Sequence, residues 1–225
     1  MTAGETLYRV VTFEGVNVAE DATYKLGQIS VGTEDFAYWN LDYIATVNPY
    51  GGQDKYYTWD PDAAEGAGSW YECDENVTID YDKPANDVDL PMNRGVIIFS
   101  GNGANLTFSG AVIAGDSALY CAAGETTYTG NFTPSTLTLG DIVVGDEDFA
   151  YWNLDYIATI NPYGGQDLYY TWDPDAAEGA GSWYECDENI TIDYDKPANN
   201  VEFEPNMGFL LFTGNGATLN IPSPL

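Results

Sequence analysis

The chain has 225 residues, 15% of them aromatic, and sets 36 acidic residues against 6 basic ones with no histidine, for a formal charge of −30. That balance excludes nucleic acid as a partner, since a polyanion is repelled and so few cations cannot assemble a basic patch, and it disfavours an anionic membrane surface. The missing histidine removes Ser-His and Cys-His nucleophile pairs and the common zinc sites.

In chain order, Met1-Thr-Ala-Gly-Glu-Thr6 has no basic start and no apolar run, so no leader is read there. No apolar stretch is long enough to span a bilayer as a helix. Leu7-Tyr-Arg-Val-Val-Thr-Phe13 is rich in strand formers. Strands are predicted at Tyr43–Val47, Tyr56–Trp59, Ser69–Cys73 and Val77–Tyr81, separated by turns at Asn48-Pro-Tyr-Gly-Gly52 and Asp60-Pro-Asp62. Asp62–Gly66 offers at most one helical turn. An apolar strand, Val96-Ile-Ile-Phe99, then enters a Gly101-Asn-Gly103 turn, where positive φ is cheap, and Asn105-Leu-Thr-Phe108 leaves it.

The chain then repeats itself. Residues 36–86 return at 149–199, an offset of 113, with only Val47/Ile160, Lys55/Leu168 and Val77/Ile190 differing. A period of this length makes two whole units, not a solenoid of small ones. The expectation is an all-β protein of two tandem β-sandwich or barrel-like domains, 1–113 and 114–225, each of roughly six to nine short strands. Outside the near-identical block, Leu7–Phe13 is read opposite Leu119-Tyr-Cys-Ala-Ala123, which sets Arg9 against Cys121.

The N-terminus, Ala3-Gly-Glu-Thr-Leu-Tyr8, resembles the inner junction Ala114-Gly-Asp-Ser-Ala-Leu-Tyr120, so a second molecule placed end to end would imitate that junction. Heterologous contacts of this kind build fibres unless the rotation closes. The N-terminal segment would complete the preceding subunit's sheet by strand addition, with Leu7, Tyr8, Val10, Val11, Phe13, Ile221 and Leu225 as subunit contacts.

The stretches Tyr56-Tyr-Thr-Trp-Asp60, Ser69-Trp-Tyr71, Val88-Asp-Leu-Pro-Met-Asn-Arg-Gly-Val-Ile-Ile-Phe99 and Leu106-Thr-Phe-Ser-Gly-Ala-Val112 resemble uncharacterised secreted tandem-repeat β proteins of environmental bacteria. Units of that family carry a "Y-x-W-D … W-Y" stretch, an "L-P-x-G-x-G-F" strand and a closing "L-T-x-S-G-x-V". The chain departs at Asn93-Arg94 and Glu204-Pro-Asn-Met207, where the first glycine of the strand motif is missing. The resemblance implies export and an extracellular or cell-surface role, and brings no catalytic residues.

Chemistry in the sequence is sparse. Carboxylate pairs such as Asp60 with Asp62 or Glu72 with Asp74 are unspecific among so many acids, and no enzyme is read from them. Asp60, Asp62 and Glu65, with their copies Asp173, Asp175 and Glu178, are candidate Ca²⁺ ligands, against the alternative of an Asx-turn with solubilising charge. Trp39, Trp59 and Trp70, and their copies Trp152, Trp172 and Trp183, are either core residues or stacking platforms for glycans. N-x-S/T sequons stand at Asn76, Asn105, Asn131 and Asn189. Of the three cysteines, Cys73 and Cys186 are equivalent, and the odd Cys121 is the candidate for an intermolecular disulfide, against free buried thiols. The function expected is a self-assembling structural protein that joins copies of itself head to tail; the alternative is a monomeric carbohydrate-binding or adhesion module.

Overall fold

A computed structural model of the chain describes residues 5–10, 23–31, 36–91, 95–104, 106–108, 117–131, 135–144, 149–161, 165–205 and 207–222. The described residues are almost wholly antiparallel β-structure, with four short 3₁₀ turns and two one-turn helices. No closed barrel forms among them.

The first repeat contains β1 (Glu5–Val10), β2 (Thr23–Lys25), β3 (Ile29–Val31), β4 (Tyr43–Val47), β5 (Gln53–Asp60), β6 (Ser69–Cys73), β7 (Ile79–Pro84), β8 (Asp89–Pro91), β9 (Gly95–Ser100) and β10 (Leu106–Phe108). Six of these build one sheet in the order β1-β9-β4-β5-β6-β7, while β2 pairs with β8 and β3 with β10. The second repeat contains β11 (Ser117–Cys121), β12 (Glu125–Gly130), β13 (Leu137–Thr138), β14 (Val143–Val144), β15 (Tyr156–Ile160), β16 (Gln166–Asp173), β17 (Ser182–Cys186), β18 (Ile192–Pro197), β19 (Glu202–Phe203), β20 (Gly208–Thr213) and β21 (Ala217–Ile221). Its large sheet has the matching order β12-β20-β15-β16-β17-β18, and β13 pairs with β19.

In both repeats the core lies between the large sheet and the short strands laid over one of its faces. Ile44, Tyr57, Trp70, Val96 and Ile98 of the first large sheet meet Tyr24, Leu26, Ile29 and Leu90. Ile157, Tyr170, Trp183, Phe209 and Leu211 meet Leu137, Leu139, Ile142 and Phe203 in the second. A buried aspartate pins each core from the same place. Asp42 accepts hydrogen bonds from the Ala37 N–H (2.9 Å) and the Gly101 N–H (2.7 Å), tying the turn before β4 to the turn after β9. Asp155 does the same with Ala150 and Gly214 at 2.8 and 2.7 Å. Gly101 is required there, since a Cβ would lie 2.3 Å from the Asn40 carbonyl oxygen.

Two readings of the sequence change. The strand predicted over Val77–Tyr81 starts at Ile79 instead, because Asp74 caps its own loop by accepting the N–H groups of Asn76 (2.9 Å) and Thr78 (2.8 Å), which holds Val77 at φ 61°. The register of the first strand also moves. Leu7 pairs with Ile98 and Thr127 with Leu211, so Leu7 corresponds to Thr127 and not to Leu119. The matching sequences are Ala3-Gly-Glu-Thr-Leu-Tyr8 and Ala123-Gly-Glu-Thr-Thr-Tyr128. Cys121 therefore does not stand opposite Arg9.

Candidate functional site

Strands β9 and β20 are apolar at consecutive positions, not alternate ones. Val96 and Ile98 enter the first core, as Phe209 and Leu211 enter the second. Ile97 and Leu210 point the other way and are nevertheless only 1% exposed, with Ala45 and Ala158 fully buried beside them. What covers them is the other repeat: β1 lies against β12 and β20, and β12 against β9. The Thr126 N–H donates to the Pro49 carbonyl (2.8 Å) and the Tyr128 hydroxyl to the Gly51 carbonyl (3.0 Å) across this contact. The small cavity at the seam, lined by Val47, Asn48, Gly95, Thr126, Thr127 and Tyr128, encloses about 10 Å³, the room of one water molecule. An unbroken apolar run marks a strand buried on both faces, and Val96-Ile-Ile-Phe99 and Phe209-Leu-Leu-Phe212 carry that signal in the sequence.

The small sheets carry the link between the repeats. In the second, β21 is central: β14 pairs along one edge and β11 along the other, Leu119 opposite Leu219 and Cys121 opposite Ala217. Strand β11 comes from the segment that joins the repeats, and it puts Leu119 and Cys121 into the second core. In the first repeat, β10 takes the place of β21 and pairs with β3 on one edge, with no partner on the other among the described residues. Leu219, covered by β11, is 1% exposed, and the equivalent Leu106 is half-buried.

Most of the residues singled out in the sequence now have places. Leu7, Tyr8 and Val10 lie in β1, which pairs with β9 of its own chain from Glu5 to Val10 and is therefore not a free terminal strand. Ile221 is a core residue of the second repeat, 1% exposed, and not a surface contact; Val11, Phe13 and Leu225 lie outside the described residues. All three cysteines are free and buried, so Cys121 does not present its thiol for a bridge between molecules. Its sulfur instead donates to the Glu125 carbonyl (3.3 Å) and accepts from the Thr127 hydroxyl (3.2 Å). Burial pushes the Cys73 and Cys186 thiols up to about 12, with neighbouring carboxylates adding to the effect.

The acidic turns do not close into a metal shell. Asp60 is nearly buried, one carboxylate oxygen accepting the Asp62 N–H (3.0 Å) and the other the Tyr81 hydroxyl (3.2 Å), as Asp173 does with Asp175 and Tyr194. Glu65 and Glu178 sit at positive φ in the turns that follow. Among the described residues no three of Cys, Asp and Glu come together as a ligand set. The Asx-turn reading is the one this geometry matches.

The tryptophans divide by position. Trp70 and Trp183 are wholly buried, and Trp59 and Trp172 pack edge-on against them at 5.4 Å. Trp39 remains 45% exposed beside Tyr38, and Trp152 is its equal beside Tyr151. Of the sequons, Asn76 and Asn189 are exposed in the Asp74 and Asp187 loops. Asn131 is fully buried, its side-chain amide donating to the Ser135 and Phe203 carbonyls at 2.7 Å each, and cannot accept a glycan in this fold. Asn105 lies outside the described residues.

No family model, curated protein or solved structure matches the chain.

Proposed function

We propose that this chain is a structural building block of an extracellular or cell-surface array, composed of two β-sandwich units and extended head to tail by strand addition. The observation that supports this reading most is β11. The segment leaving the first repeat closes the small sheet of the repeat that follows, which is a head-to-tail strand contact in miniature. A second support is the seam between the repeats, where two near-identical sheets bury Ile97 and Leu210 against each other's repeat. The charge of −30 keeps free units apart and the assembled surface hydrated. The contact proposed from the sequence shifts in one respect: β1 is already engaged with β9 of its own chain, so residues 5–10 are not the donated strand.

Sedimentation velocity over a wide concentration range, with negative-stain images of the same samples, tests the reading. Linear oligomers with a spacing of one molecule are expected. Single particles at every concentration would overturn it and favour the second reading, a glycan-binding module. That second reading rests on Trp39 and Trp152, exposed platforms at equivalent positions of both repeats. Glycan binding abolished by Trp39→Ala with Trp152→Ala would support it.

A further inference from the structure

Each repeat gathers exposed rings and a nearly buried carboxylate at one place, from three separate elements. In the first, the 3₁₀ turn Tyr38–Asn40 presents Trp39, 45% exposed, with the Tyr38 ring edge-on to it at 5.1 Å. Strand β7 adds Tyr81, 59% exposed, whose hydroxyl lies close to that of Tyr38. Strand β5 adds Asp60, which accepts the Tyr81 hydroxyl at 3.2 Å. The second repeat rebuilds the set. Trp152 lies 5.1 Å from Tyr151, and Tyr194, near Tyr151, donates to Asp173 at 3.1 Å.

These rings are held in place. Asp42 fixes the Ala37 N–H at the head of the turn, and the Asn40 and Leu41 N–H groups donate to the Ala37 and Tyr38 carbonyls at 3.0 Å each. The turn ends at Leu41 in the left-handed conformation (φ 60°) with its side chain exposed, as Leu154 ends the second at 62°. A leucine is strained there, and the fold recovers nothing by burying it. Large exposed apolar side chains on fixed, strained backbone point to a surface that a ligand covers.

The groups in the patch restrict what that ligand is. A purely apolar partner would strip water from the Tyr81 hydroxyl and return nothing to it. An anion is repelled by Asp60, by Asp80 and Asp82 on either side of Tyr81, and by the overall charge of −30. A pyranose matches both halves, since its C–H face lies on an indole and its hydroxyls reach the polar rim. The Tyr81 proton is already committed to Asp60, so the phenol oxygen is left to accept from a ligand hydroxyl.

We propose that Trp39 with Tyr81, and Trp152 with Tyr194, form two equivalent subsites for an uncharged polysaccharide. The indole stacks on a sugar ring, the tyrosine hydroxyl accepts from it, and Asp60 or Asp173 holds that hydroxyl in position. The inference rests on the glycan-binding reading above, names its ligand class, and stands whether or not the chain assembles.

Affinity electrophoresis of the full-length chain tests it, through gels containing an α-glucan, a β-glucan, a mannan, a galactomannan or a xylan, with alginate as the anionic control and chitosan as the cationic one. Retardation by at least one uncharged polymer is expected, and none by alginate. Trp39→Ala alone should weaken retardation, and Trp39→Ala with Trp152→Ala should lower affinity by about tenfold or more. Tyr81→Phe with Tyr194→Phe keeps the rings and removes only the hydroxyls, and should lower affinity by about threefold or more. Unchanged urea midpoints would show that these exposed-site variants remain folded. Loss with the tryptophan pair but none with the tyrosine pair would overturn the composite subsite and leave the glycan-binding reading standing. No retardation by any uncharged polymer, or retardation by chitosan alone that high salt abolishes, would overturn both.

Discussion

At the scale of single residues, the two copies place the same side chain in the same environment, and pH separates the roles of two aspartates. Asp42 is buried, and desolvation raises its carboxyl above the ordinary 3.8, against the opposing pull of the Ala37 and Gly101 N–H groups. A raised folded value means that the stability linked to its proton is fully present below about 3.8 and is lost as pH rises through the folded value. Asp74 has the opposite sign. The Thr78 N–H lowers its carboxyl first among the causes, so its contribution is present above 3.8 and lost as pH falls through the lowered value. Asp42→Asn replaces one of two acceptors with a donor and should cost about 1–3 kcal/mol. Urea unfolding should show that deficit narrowing as pH rises from 4 to 7, while the deficit of Asp74→Asn stays nearly level over that range and shrinks as pH falls below 3.8. The thiols give a second check. With all three buried and those of Cys73 and Cys186 pushed up to about 12, an aromatic disulfide reagent at pH 8 should titrate them only after the chain is unfolded.

At the scale of elements, the matched leucines measure what β11 does. Leu219→Ala removes a side chain enclosed by β11, β14 and the second core and should cost about 2–5 kcal/mol, as large-to-small core changes do. Leu106→Ala, at the equivalent but only half-buried position, should cost less by the same urea titration. Equal costs would contradict the difference in burial between the two leucines. Much at this scale was legible in the sequence. Tyr43–Val47 and Ser69–Cys73 are strands with the bounds predicted, and the Asn48–Gly52 turn joins β4 to β5. The β7 start was not legible, because Val77 is a strong strand former and only the Asp74 side chain holds it out of the ladder. The first-strand register was hidden by a near coincidence, Ala114-Gly-Asp-Ser competing with the true match Ala123-Gly-Glu-Thr. Pairing decides it, since Glu5 faces Ser100 as Glu125 faces Thr213.

At the scale of the whole molecule, the sequence repeat announced two like units but not how they meet. Identical letters gave no hint that Trp39 stays exposed while Trp70 is sealed, because exposure depends on which strand lies above each ring. The sheet-to-sheet seam was legible in principle from Val96–Phe99 and Phe209–Phe212, whose unbroken apolar runs exceed what one buried face needs. The account therefore turns on whether copies of this chain join end to end. Sedimentation velocity of the chain over a wide concentration range, with negative-stain images of the same samples, is the most direct test. Linear oligomers with a spacing of one molecule are the expected result, and single particles at every concentration would contradict the account.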